Sequence, residues 1–245
     1  MSRVIAWFSC GAASAVAAKL AIEVHGDRVV PVYCDTSASE HPDNARFIRE
    51  VAAWLGKPVT VLHSPTYRDI DDVFERTKYM AGVKGARCTV EMKKVPRFQF
   101  QEPDDTHVFG FTAEETGRIT NFAANNPELV LFFPLQHFGV TKADCFVRLT
   151  EAGIALPVMY GLGYRNNNCI GCVKATSARY WNMIRRDFPA VFDKRAEQSK
   201  RLGVRLTRMN SVRIFLDELP ANYLGAEELE NISCGPECGT QQGKP

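Results

Sequence analysis

The sequence of 245 residues contains no apolar run near the roughly 20 residues that a bilayer-spanning helix needs, so no helical membrane span is expected. Its opening, "MSRVIAWFSCGAAS", has a short apolar run that breaks at Ser9 and Gly11. That run is too short and wrongly flanked for a secretory leader, and a cytoplasmic protein is expected. An excess of charge is missing too. Thirty Lys and Arg stand against 28 Asp and Glu, a net charge of +2, so bulk charge points to neither a nucleic-acid nor a membrane partner. Internal repeats and low-complexity tracts are absent, as are the dinucleotide signature G-x-G-x-x-G and the Gly-Lys-Ser/Thr of a Walker loop. Cysteine is not scarce. Eight cysteines in a reducing compartment point to metal binding, catalysis or packing before disulfides. A hydrophobic content of 45% with 24% charged residues is that of an ordinary globular protein able to bury a core.

The first half alternates between two periodicities. "RVIAWFS" (3–9), "RVVPVYCD" (28–35), "PVTVLHS" (58–64), "THVFGF" (106–111) and "LVLFFPL" (129–135) are apolar runs of strand length. Between them, "AASAVAAKLAIEVHG" (12–26) and residues 42–55 have helical spacing and stop at Gly26 and Gly56. Apolar strands separated by helices predict a mainly parallel sheet of five strands with helices on both faces. The second half changes character. A Thr-capped helix is predicted over 141–153, and helix with a basic bias over 178–203. The closing "LENISCGPECGTQQGKP" is rich in Gly, Pro and polar residues and is expected to be mobile. These patterns divide the chain into an α/β unit (1–172) and a basic helical extension with a cysteine-bearing tail (173–245).

In an open α/β sheet the turn after the first strand is the usual phosphate site. Here that turn is Ser9-Cys10-Gly11-Ala12-Ala13-Ser14. Small residues let backbone N–H groups approach an anion, the helix N-terminus favours negative charge, and two hydroxyls add hydrogen bonds. A tight turn that packs small residues and binds nothing is the alternative. Cys10 is either a packing residue or a thiol acidified by the helix dipole.

Strand, "S-x-G-x-x-S" and helix in that order resemble the modified phosphate loop of the adenine-nucleotide α-hydrolase-like superfamily, and in particular the phosphoadenosine phosphosulfate (PAPS) reductase family. The similarity runs in order over roughly residues 3–175. "VYCDTSASEHP" matches an Asp-Thr motif in Asp35 and Thr36, and "RCTVEMKKVP" resembles a Cys-containing, Lys-rich segment that includes Lys93. "FGFTAEETGRI" looks like a Gly-x-x-x-Glu-x-x-x-Arg loop in Gly110, Glu114 and Arg118. The long segment from "FFPLQHFG" to "GYRNNNCIGC" follows the family's order of Pro-Leu, Asp, Pro, Tyr, Gly-Tyr and Cys-x-x-Cys. The resemblance implies a Rossmann-like sheet of adenine-nucleotide α-hydrolase type. It implies an adenine nucleotide or sulfonucleotide held by Ser9, Gly11 and Ser14, with Asp35 and Thr36 beside it. The activity implied is thiol-dependent reduction of adenylyl sulfate, or its 3′-phosphate, to sulfite, with a thioredoxin-like reductant.

The resemblance also gives the cysteines roles. Cys88, Cys169 and Cys172 fall where cluster-bearing members place thiolate ligands, with Cys234 a candidate for the fourth place. An iron–sulfur cluster of [4Fe-4S] type is the first expectation, zinc the second, and bare thiols the third. "PECGT" is similar to the Glu-Cys-Gly of the family's catalytic tail, which makes Cys238 the candidate nucleophile; Cys234 and Cys238 could instead be a ligand or resolving pair. Two departures stand out. Ala13 occupies the place where ATP-cleaving relatives carry Asp, which favours the reductase branch. Thr112 and Ala113 stand where the reductases carry paired arginines, leaving Arg87, Lys93, Lys94 or Arg118 to supply positive charge. A nucleotide-binding module without catalysis is therefore a further reading.

Residues 174–213 hold eleven Lys and Arg against three acids, interleaved with Tyr180, Trp181 and Phe188. A solvated helix face over a core is the ordinary meaning of such a run. Its alternative is a nucleic-acid contact, which would suit an iron–sulfur sulfurtransferase acting on a nucleobase. His41, His63, His107 and His137 have no ligand-like spacing.

Overall fold

The computed structural model describes residues 2–82, 85–225 and 232. Its centre is a sheet of β1 (Val4–Trp7), β2 (Val29–Cys34), β3 (Thr60–Leu62), β6 (Thr106–Val108) and β7 (Val130–Phe132). The two-residue strands β4 (Ala81–Gly82) and β5 (Gly85–Ala86) form a separate antiparallel pair. The spatial order is β3-β2-β1-β6-β7 and every neighbouring pair is parallel. The predicted five-stranded parallel α/β sheet is present. No helix among the described residues is long and apolar enough to cross a membrane.

The strand runs are apolar throughout because the sheet is buried on both faces, and a period of two sorts their residues. Val4 and Ala6 of β1 join Val29 and Tyr33 of β2 in one core, whereas Ile5 and Trp7 join Val32 and Cys34 in the other. Helix α1 (Ala12–His25) fills the first core. Its alanines, with Val16 and Leu20, are small enough for the helix to lie close to the sheet under α2 (Asn44–Leu55) and α8 (Lys142–Glu151). On the opposite face an aromatic layer of Phe109, Phe111 and Phe122 covers the strands, Phe122 coming from α6 (Thr116–Asn125).

A second core lies beyond the sheet. It joins α3 (Ile70–Thr77), Met80, Ala86 and Met92 to Tyr164, Cys169, Cys172 and two helices, α10 (Ala178–Asp187) and α11 (Pro189–Arg201). The stretch read as helical from 178 to 203 is thus broken at Phe188. Pro189 has no N–H to continue the ladder and pushes its predecessor out of helical conformation; Phe188 sits at φ −139°, ψ 62°. The C-terminal region is also not purely helical, since β8 (Thr207–Met209) and β9 (Val212–Ile214) form an antiparallel hairpin. Ion pairs bind the two sides of this core: Asp71 to Lys194 and Arg195, and Glu75 to Arg201. Arg195 is 2% exposed, so its charge depends on Asp71 and on the Gln198 carbonyl beside it.

Within β6, His107 lies side by side with Trp7, their ring planes nearly parallel, and accepts a hydrogen bond from its indole N–H at 3.0 Å through Nδ1. Burial, with Arg97 nearby, holds the imidazole down to about 4. A neutral ring in the fold against an ordinary pKa near 6.5 in the unfolded chain means the unfolded state takes up protons first as pH falls. The stabilisation is therefore complete above pH ~6.5 and lost between there and about 4, amounting to about 3 kcal/mol. We expect urea denaturation of wild type and His107→Gln to diverge less and less as pH falls from 7 to 4. Parallel pH profiles for the two proteins would show that His107 titrates normally.

Candidate functional site

The chain runs outward from β1 through β2 to β3, then returns to the other side of β1 to form β6 and β7. The order reverses between β1 and β6, and crevices at the carboxyl ends of strands form at such a switch point. A cleft of about 340 Å³ lies there. Trp7, Ser9, Gly11 and Ser14 line it from the β1 side, Phe109, Gly110, Thr112, Glu114 and Arg118 from the β6 side, and Lys142, Tyr160 and Asn166–Asn168 across the mouth.

The turn after β1 has a shape that few sequences adopt. Cys10 is in the left-handed region at φ 56°, which costs a residue other than glycine about 1–2 kcal/mol. Its carbonyl accepts a hydrogen bond from the Asn167 side-chain amide at 2.7 Å. Ser14 Oγ folds back, donating to the Gly11 carbonyl at 2.9 Å and accepting from the Ser9 N–H at 3.1 Å. The Ala12 N–H meets the Tyr160 hydroxyl at 3.3 Å. Burial pushes the Cys10 thiol up, so this residue packs and is not an acidified nucleophile. Gly110 is required by close approach: a Cβ there would lie 2.7 Å from both the backbone N and the Cα of Ser14.

Behind the turn runs a buried polar chain. Asn167 also donates to Asn44 Oδ1 at 2.8 Å, Asn44 donates to Glu40 at 2.7 Å, and Glu40 takes hydroxyl hydrogens from Tyr33 and Thr36. Thr36 is thus committed behind the loop. Asp35 accepts from the Ser37 N–H and pairs with His63 at 3.1 Å. Neither residue is in the cleft lining, although both stand at the same edge of the sheet. Lys93 is buried on a π-helical turn (Val90–Lys94), its carbonyl 3.6 Å from the Cys34 sulfur, and is likewise outside the lining. Arg87 pairs with Glu91 at 2.6 Å. Arg118 is in the cleft but is bound to Glu115 at 2.7 Å and stacked on Phe111.

Cys169 and Cys172 flank a turn in which Gly171 takes φ +66°, with no room for a Cβ against Val191. The Ile170 N–H bonds to the Ser39 carbonyl and the Cys172 N–H to the Tyr180 hydroxyl, each at 2.8 Å. Both cysteines belong to the second core, and Cys88 packs against that same cluster. As a donor set, three sulfurs in one apolar cluster suit a soft metal. Among the described residues no three His, Cys, Asp or Glu side chains are gathered as a ligand shell. Cys234 and Cys238 lie outside the described residues. Ile232 is described, and its carbonyl accepts from the side-chain amides of Asn166 at 3.0 Å and Asn168 at 2.6 Å at the cleft mouth.

The basic run of 174–213 is largely exposed, with Arg195 buried, and several of its cations are paired within the chain. Arg185 donates to the carbonyls of Leu216 and Leu219, Lys200 pairs with Asp217, Arg186 with Asp187, and Arg205 stacks on Phe215. Trp181 and Tyr180 are buried. No protein-family model and no curated protein matches the chain.

The contact between Gly110 and Ser14 can be tested directly. Gly110→Ala should lower stability by about 1–3 kcal/mol, the usual effect of an overpacked site. Gly117→Ala, with open space around the added methyl, should stay within about 0.5 kcal/mol of wild type. Urea midpoints measure both, and equal values would show that the two turns do not touch.

Proposed function

We propose that the cleft binds an adenine nucleotide with its phosphate on the Ser9–Ser14 turn, and that the protein is a PAPS-reductase-like enzyme. It reduces adenylyl sulfate, or its 3′-phosphate, to sulfite at the expense of a dithiol. One observation carries the reading. The turn with the Ser-x-Gly-x-x-Ser pattern is strained, held by side chains from two other segments, and opens into a cleft at the switch point of a parallel sheet. Backbone N–H groups at the start of α1 supply the partial positive charge that a phosphate needs.

In this reaction the Cys238 thiolate attacks the sulfonate sulfur. A sulfur–sulfur bond forms, the sulfur–oxygen bond breaks, and the nucleotide leaves with the electron pair on its phosphate oxygen. A thiol of a thioredoxin-like partner then attacks the cysteine sulfur of the S-sulfocysteine and releases sulfite. The mixed disulfide is resolved by the partner's second thiol, so the dithiol supplies the two electrons. Cys88, Cys169 and Cys172 would hold an iron–sulfur cluster, with Cys234 the candidate fourth ligand. Such a group, when bound, contributes Lewis-acid and one-electron redox chemistry. The pairing of most cations in residues 174–213 gives a nucleic-acid substrate no comparable support.

Purified protein given adenylyl sulfate or its 3′-phosphate and a dithiol should release sulfite, and Cys238→Ser should abolish the release. Undiminished release by that variant would remove Cys238 as nucleophile. Nucleotide binding without sulfite from either sulfonucleotide would leave a binding module. Protein purified without oxygen should be brown from thiolate-bound iron, and Ser at Cys88, Cys169 or Cys172 should bleach it. Ser at Cys145, buried in the other core, should not. Stoichiometric zinc without iron would overturn the cluster.

A further inference from the structure

We infer that Lys142 is the anion-recognition residue of the cleft, and that the ligand carries a second anionic group beyond the one on the phosphate loop. The inference rests on the nucleotide reading above and narrows it to nucleotides whose phosphate bears a further phosphoryl or sulfonyl group.

Lys142 is the first residue of α8, directly after the Thr141 cap. Its side chain lies over the ring of Tyr160, with the ammonium 5.7 Å from the ring centroid. The hydroxyl of that ring is the group that meets the Ala12 N–H of the phosphate loop. One tyrosine therefore spans the two positive features of the cleft, its hydroxyl at the loop and its face toward the ammonium. An ammonium has three N–H donors. Those of Lys142 reach the Arg165 carbonyl and, at 2.8 Å, Asn166 Oδ1. Both acceptors are neutral, which leaves one donor over and the ammonium without a carboxylate in contact, Glu115 and Glu114 acting on it from a distance. Among the described residues no carboxylate forms a salt bridge with Lys142, whereas Arg118 in the same cleft is neutralised by Glu115. Glu114 uses one oxygen on the Lys142 backbone N–H, 3.2 Å away, a contact to the peptide group and not to the ammonium.

Burial pushes the Lys142 amine down from its ordinary value, a sign of desolvation without full repayment. A half-buried charge with neutral partners gains most from an arriving anion. Two further cations line the cleft, Arg118, which is paired with Glu115, and Arg165, whose backbone carbonyl takes the Lys142 ammonium; on the neighbouring wall Thr112 is bonded to Glu115, and Ala113 carries no charge. A nucleoside monophosphate would fill the loop alone, whereas a phosphosulfate or diphosphate would reach both features.

The test titrates wild type, Lys142→Gln and Lys142→Arg with AMP, ADP, adenylyl sulfate, orthophosphate and pyrophosphate by calorimetry. Glutamine keeps a donor for Arg165 and Asn166 and removes the charge; arginine keeps the charge. Wild type should bind the two-anion member of each set about 10- to 100-fold more tightly than the one-anion member, the range of a charge-assisted hydrogen bond. Lys142→Gln should erase that preference while leaving AMP affinity within about twofold, and Lys142→Arg should restore part of it. Equal weakening of one- and two-anion ligands by Lys142→Gln would make Lys142 structural and overturn the inference, as would a wild type without preference. A Lys142-dependent preference for pyrophosphate with no binding of AMP would uphold Lys142 and defeat the adenine-nucleotide reading. Absence of binding by all five would defeat both.

Discussion

The side-chain amide of Asn167 carries the arrangement of the site. Its N–H groups are shared between the Cys10 carbonyl and Asn44, so it holds a residue in left-handed backbone that would otherwise relax. Once Cys10 is held, α1 starts at Ala12, with the Ala12 N–H on the Tyr160 hydroxyl at the cleft. Asn167 is also two residues before Cys169. The strap carrying the Cys-x-x-Cys turn and the turn after β1 are therefore one mechanical unit, although 157 positions separate Cys10 from Asn167. Glu40, buried and accepting from Tyr33, Thr36 and Asn44, fixes the other end of the chain of hydrogen bonds. Removing any member leaves a buried polar group without its partner, which is why such networks specify one geometry.

The sheet was legible because strands buried on both faces are apolar at every position, and the helices between them stop at glycines. All five strand positions and the helices after β1 and β2 follow from that pattern. Helices α3 and α6 escaped it. Their segments, "IDDVFERT" and "TGRITNFAAN", are short and polar, and they hold through packing on Phe74 and Phe122 more than through propensity. The β8–β9 hairpin turns at Asn210 and Ser211, both at positive φ, a conformation that the local sequence only weakly announces. Of the site, the loop of Ser9, Gly11 and Ser14 and the wall of Gly110, Glu114 and Arg118 were readable from motifs. Lys142 was not, and Tyr160 was readable as a motif position but not as a neighbour of the turn, because nothing in their spacing says that segments distant in sequence converge. The triplet of asparagines before Cys169 was the available hint, and its meaning needed the fold.

Charge in this protein has to be weighed residue by residue. The basic run looks like a surface for a polyanion, yet several of its cations are paired with Asp71, Glu75, Asp187, Asp217 and backbone carbonyls. They hold the helices of the second core to α3 and to the end of the hairpin. Lys142, one cation among 30, has the opposite situation: few neighbours of opposite sign and a place in a cleft. A sequence count cannot see which charges already have partners.

The second core is built from two separate stretches, 70–92 and 159–219, and this sets the order in which the protein can assemble during synthesis. The last sheet strand, β7, ends at Phe132, so the sheet has all its strands with almost half of the polypeptide still to be made. The layer under the Cys-x-x-Cys turn cannot close then. Val73, Phe74, Met80 and Met92 must wait for Trp181, Ile184, Phe192, Leu206 and Leu216. During that interval an apolar face from residues 70–92 is uncovered on the nascent chain, the period in which a growing polypeptide is most open to chaperones and to misassociation. The strap that holds the turn after β1 is seated by the same late residues, so a chain halted near the Cys-x-x-Cys turn would hold its sheet before its cleft could take shape.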